Sequence, residues 1–179
     1  YSRLDTRELI EHGKAARGKG AIETQMILNH KTAIELLVEN IDSAEFNRYT
    51  LMNLHSALAE NLLPNPADEG RIRQHAVDIS KSIYRPLSTA QQIEEVLDEV
   101  LSKANQIHDP FEQSFFMMVH LPYLQPFADI NKRTSRLAAN LPLFRGNLCP
   151  LTFLDVPEQA YSRATLGVYE MARIELLRD

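Results

Sequence analysis

The segment that most constrains this chain is Phe115-Phe116-Met117-Met118-Val119, in a stretch opened by Asp109-Pro110 and closed by Pro122. A helix that is apolar almost all round has no face to give to water and must be buried. Pro110 at the first helical position and Glu112 in the first turn mark its start. The expectation is one central helix with others wrapped around it. Glycine is scarce, with 6 in 179 residues, and long stretches are rich in Ala, Leu, Glu, Gln and Lys. Both features favour helix over strand. The length suits a single domain over 1–179 with a real core.

The wrapping helices can be placed by their apolar stripes. The first is expected from Thr6 to Ala16, before Gly18 and Gly20 interrupt it. The second spans Ala21 to Glu39, with Asn29 as a candidate break. The third starts after Ser43, carries Phe46, Leu51, Leu54 and Leu58 on one side, and ends before Pro64. Ser88 with Gln91 reads as a capping box. It opens a helix striped by Ile93, Val96, Leu97, Val100 and Leu101. Further helices are expected over Asn131–Phe144 and from Pro157 to the end. Between them, Ala76 to Tyr84 alternates weakly, as a short β-hairpin would, until Pro86 ends it. The fold class is all-α with that one hairpin.

Net charge is −5, which argues against a bulk nucleic-acid binder. The single cysteine, Cys149, cannot close an intrachain disulfide and reads as a small buried hydrophobe in a reducing, cytoplasmic setting. No apolar run reaches the roughly 18 to 20 residues that span a bilayer, and no signal peptide is visible, so no membrane is expected. The abrupt opening at Tyr1 and the stop inside a helical pattern at Asp179 read as those of a fragment of a longer chain.

The segment with chemistry is Gln125-Pro126-Phe127-Ala128-Asp129-Ile130-Asn131-Lys132-Arg133-Thr134-Ser135-Arg136. A carboxylate-bearing loop enters a helix whose first turns hold Lys132, Arg133 and Arg136. Cations at a helix N-terminus oppose its dipole, so three of them there point to an anion. Arg133 and Arg136 share a face. With the free backbone amides they could clamp a polyphosphate, and Asp129 could hold Mg²⁺ beside it. Solvated basic residues and an Asp that merely caps the helix are the plainer alternative. Walker, dinucleotide-binding glycine and zinc-ligand patterns are all missing.

This segment resembles the Fic motif, His-Pro-Phe-x-(Asp/Glu)-Gly-Asn-(Gly/Lys)-Arg-x-x-Arg, with Pro126, Phe127, Asp129, Asn131, Lys132, Arg133 and Arg136 in register. The similarity runs from about Ala21 to the end. It implies a Fic-type helical bundle and AMP transfer from ATP, with Mg²⁺, to a Ser, Thr or Tyr hydroxyl of a protein target. It implies that Phe127 anchors the loop and Asp129 binds the metal. Asn131, Lys132, Arg133 and Arg136 would hold the phosphates. The target would dock on a hairpin flap including Val77, Ile79, Ile83 and Tyr84. His55 resembles a structural position of the family, and His120 reads as a structural histidine of the buried helix.

Two departures stand out. Gln125 replaces the histidine that takes the hydroxyl proton, and a carboxamide cannot be a base near neutral pH. Ile130 replaces glycine, and a β-branched residue resists positive φ, so an altered loop is expected. The function expected is nucleotide binding with AMP transfer impaired or lost. The alternatives are a non-catalytic protein-interaction module on the same scaffold, or a fully active divergent transferase. Lys19-Gly20-Ala21-Ile22-Glu23-Thr24 resembles in part the family's inhibitory helix, expected around 19–27, whose glutamate would be Glu23, reaching Arg136. A homo-oligomer is compatible with all of this.

Overall fold

The structure is a computed structural model that describes residues 1–153 and 155–178. Its helices are α1 (Arg3–His12), α2 (Ala21–Glu39), α3 (Arg48–Ala59), α4 (Ala90–Gln106), α5 (Pro110–Leu124), α6 (Asn131–Ala138), α7 (Leu141–Arg145), α8 (Glu158–Met171) and α9 (Glu175–Arg178). A 3₁₀ turn, Pro66–Asp68, precedes α4. The apolar segment behaves as expected: α5 is the centre and packs on α4, α6, α7 and α8. Met117 and Leu121 are fully buried in it. The α3 stripe of Leu51, Leu54 and Leu58 and the α4 stripe of Ile93 and Leu97 complete one continuous core.

Polar side chains fix how the helices meet. Asn29 does not break α2. It is buried, and its amide donates to the carbonyls of Leu58 and Glu60 at 3.2 and 2.8 Å, satisfying the end of α3. Arg48, at the first position of α3, donates to Glu94 at 2.8 Å and Asp98 at 2.6 Å of α4.

Several ends differ from the sequence expectations. The first helix is Arg3–His12, opened by a Ser2–Asp5 capping box and stopped by Gly13 at φ 67°. The cap of α4 is Thr89, one residue after Ser88, and its hydroxyl bonds Gln92 rather than a backbone amide. Pro122 does not end α5, which runs on to Leu124. The expected Asn131–Phe144 helix is two, because Asn140 turns its side chain to the Leu151 backbone and Pro142 restarts the helix as α7. The last helix also breaks, at Ala172 with φ 50°. Cys149 is exposed, not buried.

The hairpin expectation is corrected too. No strand occurs among the described residues. Residues 76–87 form an extended loop with one turn, closed by Ser82 N–H donating to Ile79 O at 3.1 Å, and Lys81 at φ 64°. The alternation survives in burial: Val77, Ile79 and Tyr84 are half-buried, while Ile83 is exposed. An isolated two-stranded hairpin is marginal in water, and here side chains fasten the segment instead. Ser82 Oγ donates to Glu170 at 2.8 Å, and Tyr84 Oη donates to the Tyr123 carbonyl at 3.0 Å.

Candidate functional site

The loop 125–130 joins α5 to α6 and is held from below by α3. Phe127 is fully buried, with its ring stacked on His55 at 3.9 Å and 7°. His55 Nδ1 accepts the Gly70 N–H at 2.9 Å, so Nε2 carries the proton and donates to Asp129 O at 3.2 Å. Burial holds the His55 pKa down at about 4, so the ring is neutral at physiological pH. Gly70 sits at φ 67°, and a Cβ there would come within 2.9 Å of Ser56 Cβ. Only glycine lets its amide reach His55.

Asn131, the first residue of α6, braces the loop from within. Its Oδ1 accepts from Phe127 N at 2.9 Å, and its Nδ2 donates to Phe127 O at 2.9 Å and to Gln125 Oε1 at 3.0 Å. Gln125 lies just beyond the end of α5 in the left-handed region, φ 52° and ψ 58°. Its carboxamide is fully engaged. Oε1 accepts from the Asn131 amide, while Nε2 donates to Pro122 O at 2.6 Å and lies 3.4 Å from Tyr169 Oη. Ile130 caps α6 at φ 63° and ψ 9° despite its β-branch, so the loop keeps the left-handed turn. Its side chain is buried in the core.

Lys132, Arg133 and Arg136 occupy the first two turns of α6, as expected. None of them makes an ion pair among the described residues. Burial, then the charge of Arg136, push the Lys132 pKa down. For Arg133 burial again leads, with Asp129 opposing and Arg136 adding. Arg136 packs its guanidinium over Phe153 and Tyr161, 5.3 Å from each ring centre. Asp129 is exposed, and its Oδ1 accepts the Ile130 N–H at 2.6 Å. Among the described residues no group of three or more His, Cys, Asp or Glu could hold a metal by itself. Asp129 therefore fits Mg²⁺ only as one ligand among phosphate and water oxygens, the usual manner of that ion.

Glu23 lines an open groove of about 690 Å³ with His30, Arg133 and Arg136. Its carboxylate lies 3.8 Å from Lys19, and no Glu23–Arg136 pair forms among the described residues. Above the loop, Tyr84, Tyr123 and Tyr169 gather within 4.6 to 6.5 Å of one another, and burial pushes the Tyr84 and Tyr169 hydroxyl pKa values up. Sequence reasoning missed Arg73 and Tyr169. An arginine beside Ile72 gives no local signal of burial, and Tyr169 lies 44 residues from the glutamine it approaches.

The Fic/DOC family profile matches residues 45–143, more than half of the chain. The chain belongs to the Fic/DOC family. Within that family it is similar to protein adenylyltransferase fic-1 of Caenorhabditis elegans, 27% identical over 169 residues, covering 91% of this chain and 32% of the relative. It is also 27% identical to protein adenylyltransferase Fic of Nematostella vectensis over 151 residues, covering 82% and 34% of the two chains. The chain thus spans about a third of the length of these relatives. The solved structure of Fic-1 from C. elegans superposes with a TM-score of 0.83 at 22% identity, over 99% of this chain and 53% of that one, and shares the Fic fold. Among the described residues no helix is long and apolar enough to cross a membrane.

Proposed function

We propose that this Fic domain binds ATP at the N-terminus of α6 and that AMP transfer to a protein hydroxyl is impaired by Gln125. The observation that carries nucleotide binding is the cation cluster. Lys132, Arg133 and Arg136 are crowded, partly desolvated and without carboxylate partners among the described residues, around the free amides of a helix start. A polyphosphate would relieve that repulsion. Lys132 and the free amides at the start of α6 would hold the inner phosphates, Arg133 the next and Arg136 the last, while Asn131, whose side chain is spent on Phe127 and Gln125, would brace the loop beneath them. Asp129 would share Mg²⁺ with them, and the ion would neutralise charge on the phosphates during transfer.

The impairment follows from the carboxamide. Gln125 has no usable basicity, and its donors already point at Pro122 O and Tyr169 Oη. Neither His55 nor His120 takes over as base. His55 has both ring nitrogens engaged under the loop, and His120 packs on Phe116 at 4.1 Å, within α5. The adenylyltransferase names of the relatives support the reaction class. Glu23 is proposed as a brake that acts across the groove it shares with Arg136. The loop 76–87, with Val77, Ile79, Ile83 and Tyr84, is proposed as the place where a protein target docks.

The test is calorimetric titration of ATP with Mg²⁺, using Arg136→Ala as control. Binding that weakens at least about 10-fold in the variant is expected. Gln125→His should then raise label transfer from ATP to protein by about 10² to 10⁴-fold. No binding, even with Glu23→Gly, would overturn the nucleotide reading in favour of an interaction module. Equal transfer by the wild type and by Gln125→His would show a divergent active enzyme.

A further inference from the structure

Arg73 is fully buried, yet no carboxylate pairs with it among the described residues. Its guanidinium donates to three carbonyls: Nε to Gln125 O at 2.6 Å, Nη1 to His75 O at 2.7 Å and Nη2 to Leu87 O at 2.5 Å. Its backbone N–H donates to Pro126 O at 3.0 Å. Burying a cation without a counter-ion is costly. Here the C-terminal end of α5 supplies partial negative charge through the Gln125 carbonyl. One side chain therefore holds both feet of the 76–87 loop and the left-handed residue at the head of the motif.

The loop's other fastenings lead the same way. Tyr84 Oη donates to the carbonyl of Tyr123, two residues before Gln125. Ser82 Oγ and Ile83 N donate to Glu170, next to Tyr169, whose hydroxyl approaches the Gln125 amide. Between its feet the loop's own bonds are the Ile79–Ser82 turn, the Tyr84 N–H donating to Ser82 Oγ at 3.2 Å and the Asp78–Arg85 pair. Its position is set from outside, at points clustered around residue 125.

We propose that Arg73 is a positioning residue that couples the conformation of the 76–87 loop to the backbone of residue 125. A partner seated on the loop would then steady residue 125, and a disturbed residue 125 would loosen the loop. Lysine keeps the charge but gathers its donors on one nitrogen, whereas the three carbonyls are met by three separate guanidinium nitrogens. Methionine keeps the stem and loses every donor. The use of this coupling in AMP transfer rests on the function proposed above, but the coupling itself does not.

Amide hydrogen exchange on the whole chain tests it, with Arg73→Met, Arg73→Lys and a core control, Leu97→Ala. Arg73→Met should speed exchange in 76–87 and at the amides of Gln125 and Phe127 together, by about 10-fold or more beyond the control, with Arg73→Lys intermediate. Acceleration confined to one segment, or no greater than in the control, overturns the coupling. If Arg73→Met fails to fold, Arg73→Lys decides by the same two segments. In a Gln125→His background, Arg73→Lys should lower kcat for label transfer about 10-fold while ATP affinity stays within about 2-fold. A loss of ATP affinity with unchanged kcat would contradict a positioning role. If the Gln125→His form transfers nothing, the transferase reading fails while the exchange result still judges Arg73.

Discussion

Ile130 and Gln125 bracket the motif loop, and both hold positive φ without being glycine. For a β-branched residue that conformation costs about 1–3 kcal/mol and persists only when its surroundings over-determine it. At Ile130 they do. The side chain is buried, its N–H meets Asp129 Oδ1 at 2.6 Å, and its carbonyl accepts both N–H and Oγ1–H of Thr134 at 3.0 Å. Replacing it by glycine relieves strain and loses packing. Ile130→Gly should therefore cost no more than about 1–2 kcal/mol, whereas Ile93→Ala in α4 should cost about 2–5 kcal/mol. Urea denaturation of the two variants measures the contrast; equal losses would show that Ile130 bears no strain. The place of Lys132, Arg133 and Arg136 in the first turns of α6 was legible because their spacing is that of one helix face. The retained turn at Ile130 was not, because burial outside the motif decides it.

Among the elements, α3 serves the site through the His55–Phe127 stack. His55 has a folded pKa of about 4 against 6.5 in an unfolded chain. Below pH 6.5 the unfolded state takes up the proton first, so stability falls as pH drops from about 6.5 to 4. The loss from this one ring amounts to at most about 3 kcal/mol. Unfolding midpoints at pH 7.5 and 4.5 should differ less in His55→Gln than in the wild type; an unchanged difference would mean that His55 is already charged when folded. Phe127→Ala should cost about 3–5 kcal/mol by the same measurement and should loosen the loop. The helices themselves were legible from their stripes, and α5 above all. Their ends were not, since Asn140, Ala172 and Thr89 act through partners or conformations that no local pattern announces. The loop 76–87 was legible as alternation but not as bonding, because its fastenings lie on α8, on Tyr123 and on Arg73.

As a whole the molecule is an acidic body, net −5, with three cations that lack carboxylate partners among the described residues gathered at one helix start. The nucleotide binding proposed there would stabilise the entire fold by mass action. ATP with Mg²⁺ at about 100 times its Kd should add about 2.7 kcal/mol, which in a chain of this size raises Tm by roughly 5 to 10 °C. Arg136→Ala should erase most of that rise, and an equal rise in the variant would place the nucleotide elsewhere. The core joining α3, α4, α5 and α6 was foreseeable from a single apolar helix that had to be covered. The gathering of three tyrosines beside the motif loop, with Tyr169 next to Gln125, was not, because Tyr84, Tyr123 and Tyr169 come from a loop, α5 and α8. That gathering has a spectroscopic side. The chain has no tryptophan and 6 tyrosines, so half of its tyrosine fluorophores stand in one cluster whose Tyr169 hydroxyl lies 3.4 Å from Gln125. Half of its native ultraviolet fluorophores thus report on one cluster, and a change of packing beside Gln125 registers in the light the unlabelled protein already gives.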